Sequence, residues 1–340
     1  LSFLQIQLFA LMFFVVIKIS ILLHTILHET GHLICGLLSG YKFVSFRIIN
    51  LMWIKRDGKV HFCRMPVAGY SGQCLMSPPP FSDGKIPVFL YNLGGVLVNF
   101  LTGVVALILY FALTGHVILS NIFFIFALTG ITMALINGVP MRSGKIDNDG
   151  RNAYMLNGNE DALRAFWIQL KANELINDGV RLKDMPAEWF VVPADEKMDN
   201  SMVSSLCVFS CSRLMDEHSF DEADKLIVHL LGIKNDIVGI QKNLIICDRI
   251  YIELIGQNRK DVLDSLLDNK QKKFMLSMKN YPSVIRTEYA YALLSEKDEI
   301  KSKMIRESFE KCAETYPYSG DLQSERELIM IADNKNQTTY

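Results

Sequence analysis

Residues His28, Glu29, Thr30, Gly31 and His32 are consecutive and fit the pattern H-E-x-x-H. In an α-helix, residues four apart share a face, so both imidazoles can reach one metal ion. Two imidazoles and a carboxylate hold zinc with a fourth position left for water, and zinc lowers the pKa of that water towards neutrality. Glu29 adjoins the first histidine, where it can take the water's proton and pass it to the leaving amine of a cleaved peptide. Glu29 is thus the expected catalytic base, His28 and His32 are expected metal ligands, and Zn2+ is the expected cofactor. The five-residue pattern also arises by chance, and the bland alternative is a set of polar residues tying helices together. His24 is one turn before His28 on the same face. It reads as a group behind the ligands or lining the cavity, rather than as a ligand.

The surroundings of the motif sharpen it. Residues 1–40 carry only two formal charges, Lys18 and Glu29. An unpaired carboxylate in an apolar helix is costly and usually functional. The stretch exceeds the roughly 20 residues one span needs, and it predicts one long or tilted helix over residues 10–39. If that helix leaves the membrane near Gly40, His32 lies roughly 12 Å and His28 roughly 18 Å inside, at about 1.5 Å per residue. Water must then reach the metal through a protein-lined cavity. From Ile86 to Met141 there is no Lys, Arg, Asp or Glu, and Gly115-His116 divides this stretch into spans at 88–113 and 117–137. Lys42, Arg47, Lys55, Arg56, Lys59 and Arg64 follow the first span, and Arg142 and Lys145 follow the third. The positive-inside rule places both segments, and the C-terminal part, in the cytoplasm.

Between the first two spans, residues 42–64 are rich in β-prone side chains, with Asp57-Gly58 at the centre. That is a hairpin signal, and Pro78-Pro79-Pro80 ends regular structure after it. An open strand edge beside the metal would accept an unwound substrate as an added strand. The bland alternative is a surface hairpin that closes the site.

Charge divides the chain. Residues 1–140 hold eight basic and three acidic side chains, and residues 141–340 hold 27 and 33. Neither part is basic enough to suggest nucleic acid. Residues 151–340 contain no span and read as successive amphipathic helices, with starts near Asp221, Lys260 and Glu299, each 39 residues apart. This spacing resembles that of tetratricopeptide-type hairpins, and a non-repetitive bundle is the alternative. The seven cysteines form no disulfide-like framework, and Cys207 and Cys211 read as core thiols. The expected fold is mainly α: a polytopic membrane core of about three transmembrane helices with a β-hairpin insert, then a soluble α-helical domain. The expected boundaries are 1–150 for the core, 151–198 for a connecting helical segment and 199–340 for the helical domain.

Four motifs in order resemble the site-2 protease family of intramembrane zinc metalloproteases. Besides the zinc motif, Met65-Pro66-Val67-Ala68-Gly69-Tyr70 is similar to its Pro-x-Gly-Gly-Tyr segment, with Ala68 replacing a glycine. Gly94-Gly95-Val96-Leu97-Val98-Asn99 is similar to its Gly-Pro-x-x-Asn helix, with Gly95 in place of proline. Asn137-Gly138-Val139-Pro140 and then Asp149-Gly150-Arg151 resemble its Asn-x-x-Pro and Asp-Gly motifs. The resemblance implies that Asp149 is the third zinc ligand. The gap from Asn137 is longer than usual for the family, which makes Asp147 the rival. A hydrophobic helix that often follows this aspartate is missing. By the same resemblance Asn99 and Asn137 support the site or bind substrate, and helix cross-linking is the plain alternative.

The expectation is a zinc endopeptidase of a cell membrane, bacterial in origin, acting on membrane-embedded or membrane-adjacent polypeptides in regulated proteolysis or peptide maturation. Its helical domain would bind a protein partner or a second copy. The alternative from another class is a catalytically silent membrane scaffold working through that domain.

Overall fold

The computed structural model describes residues 3–65, 71–82, 84–143 and 146–338. Residues 66–70, which carry most of the Pro-x-Gly-Gly-Tyr match, and Lys145 lie outside them. The described chain is mainly helical. It begins with α1 (Phe3–Leu38), then four strands, β1 (Lys42–Ile48), β2 (Leu51–Arg56), β3 (Lys59–Arg64) and β4 (Gly72–Ser77). Next come α2 (Phe89–Ala112), α3 (Val117–Gly138), α4 (Asp149–Leu156) and α5 (Glu160–Asn177). After short 3-10 turns follow α6 (Ser201–Asp216), α7 (Phe220–Gly232), α8 (Gly239–Ile255), α9 (Lys260–Leu266) and α10 (Asn269–Ser277). The series ends with α11 (Pro282–Ala290), α12 (Glu299–Ala313) and α13 (Ser319–Thr338). Two compact units result: Leu1–Ile48 with Ser71–Ser143 and Asp147–Gly158, and Ile49–Tyr70 with Gly144–Ile146 and Asn159–Tyr340.

In the first unit, Ala10–Leu38 of α1 and the whole of α2 and α3 are long and apolar enough to cross a membrane. Large apolar side chains such as Leu37, Phe111, Ile118 and Leu128 are exposed on them, whereas His24, His28, Glu29, His32 and Asn99 are buried. Polar groups inside and apolar groups outside is the arrangement that a hydrocarbon surround demands. Helices α1 and α2 touch backbone to backbone: a Cβ on Gly31 or Gly94 would overlap the other residue's carbonyl. Small residues permit that approach, and it presses the histidine face of α1 onto α2. Strand β1 pairs antiparallel with β4, with a register shift between Phe43 and Ser45. Short α4 packs against α2 and α3.

In the second unit, β2 and β3 form a hairpin whose register runs from Leu51↔Arg64 to Arg56↔Lys59. Asp57 and Gly58 both have positive φ, 48° and 74°, the conformation of a two-residue type I′ turn. Met52, Ile54 and Met65 of this hairpin cluster with Tyr316 and Tyr318, and Asn177 Nδ2 donates to the Lys55 carbonyl at 2.7 Å. The hairpin therefore belongs with the helices, which differs from a division made at residue 150. Buried apolar side chains have no signature of which partner they will meet.

Successive helices of this unit pack on one another, α5 on α6, α6 on α7, α7 on α8 and α11 on α12. Local chemistry starts several of them. Asn159, Asn200, Asp268 and Asp298 each accept a hydrogen bond from a first-turn amide, and Pro282 stands at the start of α11. Helices begin at Phe220, Lys260 and Glu299, next to or at the spaced positions read from the sequence. Their core contains Tyr251, Leu254, Ile285, Phe309 and Leu328. Buried Arg286 reaches Asp248 at 2.6 Å and Glu325 at 2.9 Å and lies over the Tyr251 ring. Cys207 and Cys211 are fully buried in α6, and burial pushes the Cys207 thiol up to about 12.

Candidate metal centre

His28 and His32 project from one face of α1, one turn apart, with their Nε2 atoms 3.1 Å from each other. Asp149 is the first residue of α4 and sends Oδ2 to within 3.0 Å of His28 Nε2 and 3.5 Å of His32 Nε2. These three residues form a group that could hold a metal ion.

Each ligand is oriented from behind. His32 Nδ1–H donates to the Tyr91 carbonyl at 2.8 Å. In the neutral ring that bond leaves the lone pair on Nε2, facing Asp149. Tyr91 is itself fixed, since its hydroxyl donates to the Cys74 carbonyl at 3.0 Å and its ring stacks on Tyr41.

Behind His28 lies a chain of three groups. Asn99 Nδ2 is 3.3 Å from His28 Nδ1, and Asn99 Oδ1 is 3.3 Å from His24 Nδ1. His24 Nε2 is 3.0 Å from the Phe126 carbonyl, which can only accept. A metal ion on His28 Nε2 requires a proton on Nδ1, and hence the oxygen end of the Asn99 amide facing His28. A half-turn of the amide exchanges its two ends. The nitrogen end then donates to His24 Nδ1, and His24 Nε2–H donates to Phe126. Every group in the chain is satisfied in that arrangement.

The donor set fits a cation. Asp149 Oδ2 is buried, and among the described residues no hydrogen bond reaches it apart from its contacts with the two imidazole nitrogens. A carboxylate and two imidazole lone pairs this close repel one another unless a proton or a metal ion lies between them. Burial pushes the Asp149 carboxyl up, but hydrogen bonds from His28 and His32 outweigh it and hold the group at about 2.

Asp147, the rival ligand, is turned elsewhere. Arg142 grips both its oxygens, at 2.6 and 3.0 Å, and Arg151 Nε approaches at 3.1 Å. The aspartate that joins the histidines is Asp149. Asn148, which the sequence reading passed over, is the residue that aims it. Its Nδ2 donates to the carbonyls of Ile136 and Val139, and its Oδ1 accepts from the amides of Met141 and Arg151. One side chain thus caps α4 and fastens it to the end of α3. The available signal was an Asn at a helix start three residues before Arg151.

Glu29 is buried on α1 and, among the described residues, makes no hydrogen bond or ion pair. Gly72 of β4 packs directly against its carboxylate. Among the described residues β4 pairs with β1 alone, so its other edge carries no strand, and Gly72 sets β4 beside the centre. Asn137, expected at the site, donates to the Met133 carbonyl of its own helix at 3.0 Å and joins no contact with the histidines.

Comparison with protein-family models, curated proteins and solved structures finds no match for this chain.

Proposed function

We propose that this chain is an intramembrane zinc endopeptidase of the site-2 protease type, spanning the membrane three times. The observation that carries the reading is the convergence of His28, His32 and Asp149 on one point inside a bundle of lipid-compatible helices, with Glu29, which has no partner among the described residues, on the next position of the same helix. Two imidazoles and one carboxylate are the donor set of a hydrolytic zinc site with an open position. When bound, zinc would supply a Lewis acid that polarises a peptide carbonyl and acidifies a water.

The protein's own groups do the rest. Glu29, buried beside the centre, takes the proton of the attacking water and returns it to the leaving amine, a role worth about 10²–10⁴ in rate. The free edge of β4 offers main-chain donors and acceptors to an extended substrate. A helical substrate must unwind before attack, because its carbonyls are occupied by its own hydrogen bonds, and a strand edge repays that loss in kind. The cytoplasmic side is proposed for the metal centre and the helical unit, from the basic residues that follow α1 and α3.

The test is cleavage of labelled membrane-spanning peptides by purified protein, with metal content measured on the same samples. Wild type is expected to carry about one zinc per chain. Glu29→Gln is expected to keep the metal and lose cleavage by about 10²–10⁴. A fully active Glu29→Gln would overturn the mechanism. Wild-type protein that binds zinc but cleaves no peptide would favour the scaffold reading.

A further inference from the structure

The second unit holds a cleft that the proposed chemistry does not use. It has a volume of about 670 Å³, within the roughly 300–1,000 Å³ range of ligand sites. One wall is the base of the β2–β3 hairpin, where the Met65 amide donates to the Asn50 carbonyl. The other comes from the α10–α11 connection and the end of α12.

Its charge runs against its surroundings. Residues 141–340 carry 33 acids against 27 bases, yet the cleft is lined by Arg64, Lys279 and Lys311 and by no acid. Among the described residues none of these three cations has an ion-pair partner. They come from three separate elements, so no single helix periodicity explains their meeting. All three are solvent-exposed, and an anionic occupant would pair with them. The floor is apolar and aromatic, with Tyr281 and Tyr316 in edge contact. At the lip, Ile49 is held at φ 57°, a left-handed conformation that a β-branched residue adopts only under constraint.

We infer that this cleft binds an acidic segment of polypeptide, with its carboxylates on Arg64, Lys279 and Lys311 and its apolar side chains on the tyrosine floor. A peptide is favoured over a phosphate compound by the lining. Two of its three cations are lysines, which lack the bidentate fork of an arginine cluster. The cleft is also several times larger than one anionic head group needs. The inference is independent of the metal centre, and the two can fail separately.

The experiment is fluorescence anisotropy on the full chain in lipid nanodiscs, using a labelled peptide of alternating Glu and Ala. The expected result is saturable binding that weakens with salt, at least about tenfold tighter than a Gln and Ala peptide of the same length. The double variant Arg64→Glu, Lys311→Glu should lose that binding and instead bind a Lys and Ala peptide. Lys225→Glu, an exposed lysine outside the cleft, should bind like wild type. Gain of binding by the charge-reversed pair cannot come from misfolding. Equal binding of the Gln peptide, unchanged binding by the double variant, or displacement by millimolar inorganic phosphate would each overturn the inference.

Discussion

Asp149 Oδ2 lies 3.0 Å from His28 Nε2 and 3.5 Å from His32 Nε2. The aspartate and the histidines belong to helices far apart in sequence, brought together by the Gly31–Gly94 crossing and the Asn148 staple. Asp149→Ala should therefore abolish stoichiometric zinc, whereas Asp147→Asn should retain it, because Asp147 is held by Arg142 and Arg151. Metal analysis of the two purified variants decides the matter. Zinc kept by Asp149→Ala and lost by Asp147→Asn would show the ligand assignment to be wrong.

A hydrogen-bonded chain runs from Phe126 through His24 and Asn99 to His28, a candidate ligand. Asn99→Leu is expected to weaken zinc binding about 10–100-fold, the usual effect of losing such a partner. His24→Ala should act in the same direction but less, since it touches the ligand only through Asn99. Competition with a chromogenic chelator measures both, without reliance on turnover.

A side chain at residue 95 would meet the His28 ring, its Cβ 2.6 Å from Cε1. Gly95→Ala should consequently displace the imidazole, costing about 1–3 kcal/mol in overpacking and weakening metal affinity. Gly115→Ala has open space around its Cβ and is the matched control. Thermal melts with and without zinc compare them, and a Gly95→Ala protein identical to wild type in both would contradict the tight α1–α2 approach.

Asp321 offers a pH dependence away from the metal. Burial, with Glu325 nearby, raises its carboxyl to about 7, against a Tyr316 hydroxyl contact that lowers it. A raised carboxyl favours the protonated folded state. Its contribution to stability is thus fully present below pH 4 and is lost as pH rises through 7. Asp321→Asn should flatten the stability profile over that window and raise stability at pH 8 by roughly 1–4 kcal/mol. All three tryptophans, Trp53, Trp167 and Trp189, lie in the same unit as Asp321, so their fluorescence during urea unfolding reports on it. An unchanged slope in the variant would assign the pH dependence elsewhere.

Much of the local structure was legible. The three long helices follow from uninterrupted apolar runs, because a chain in hydrocarbon must satisfy its own amides. The Asp57-Gly58 turn follows from two residues that tolerate positive φ. His28 and His32 share a face because any helix puts residues four apart together. Strand β4 was not foreseen: its six residues have little period-two alternation, and what makes it a strand is its pairing with β1. Asn137 bonds its own helix, and an asparagine near a helix end looks the same in sequence whether it faces a site or its own backbone.

The sequence by itself determined which residues can do chemistry and which segments suit a membrane, since both depend on side-chain type and near-neighbour spacing. Only the tertiary structure decided that Asp149 rather than Asp147 meets the histidines, that β4 packs beside Glu29, and that Arg64, Lys279 and Lys311 share one cleft. Each of these rests on contacts between distant segments. Such contacts are selected by how glycines let backbones approach, by which carbonyls a capping side chain can reach, and by which apolar faces close on each other.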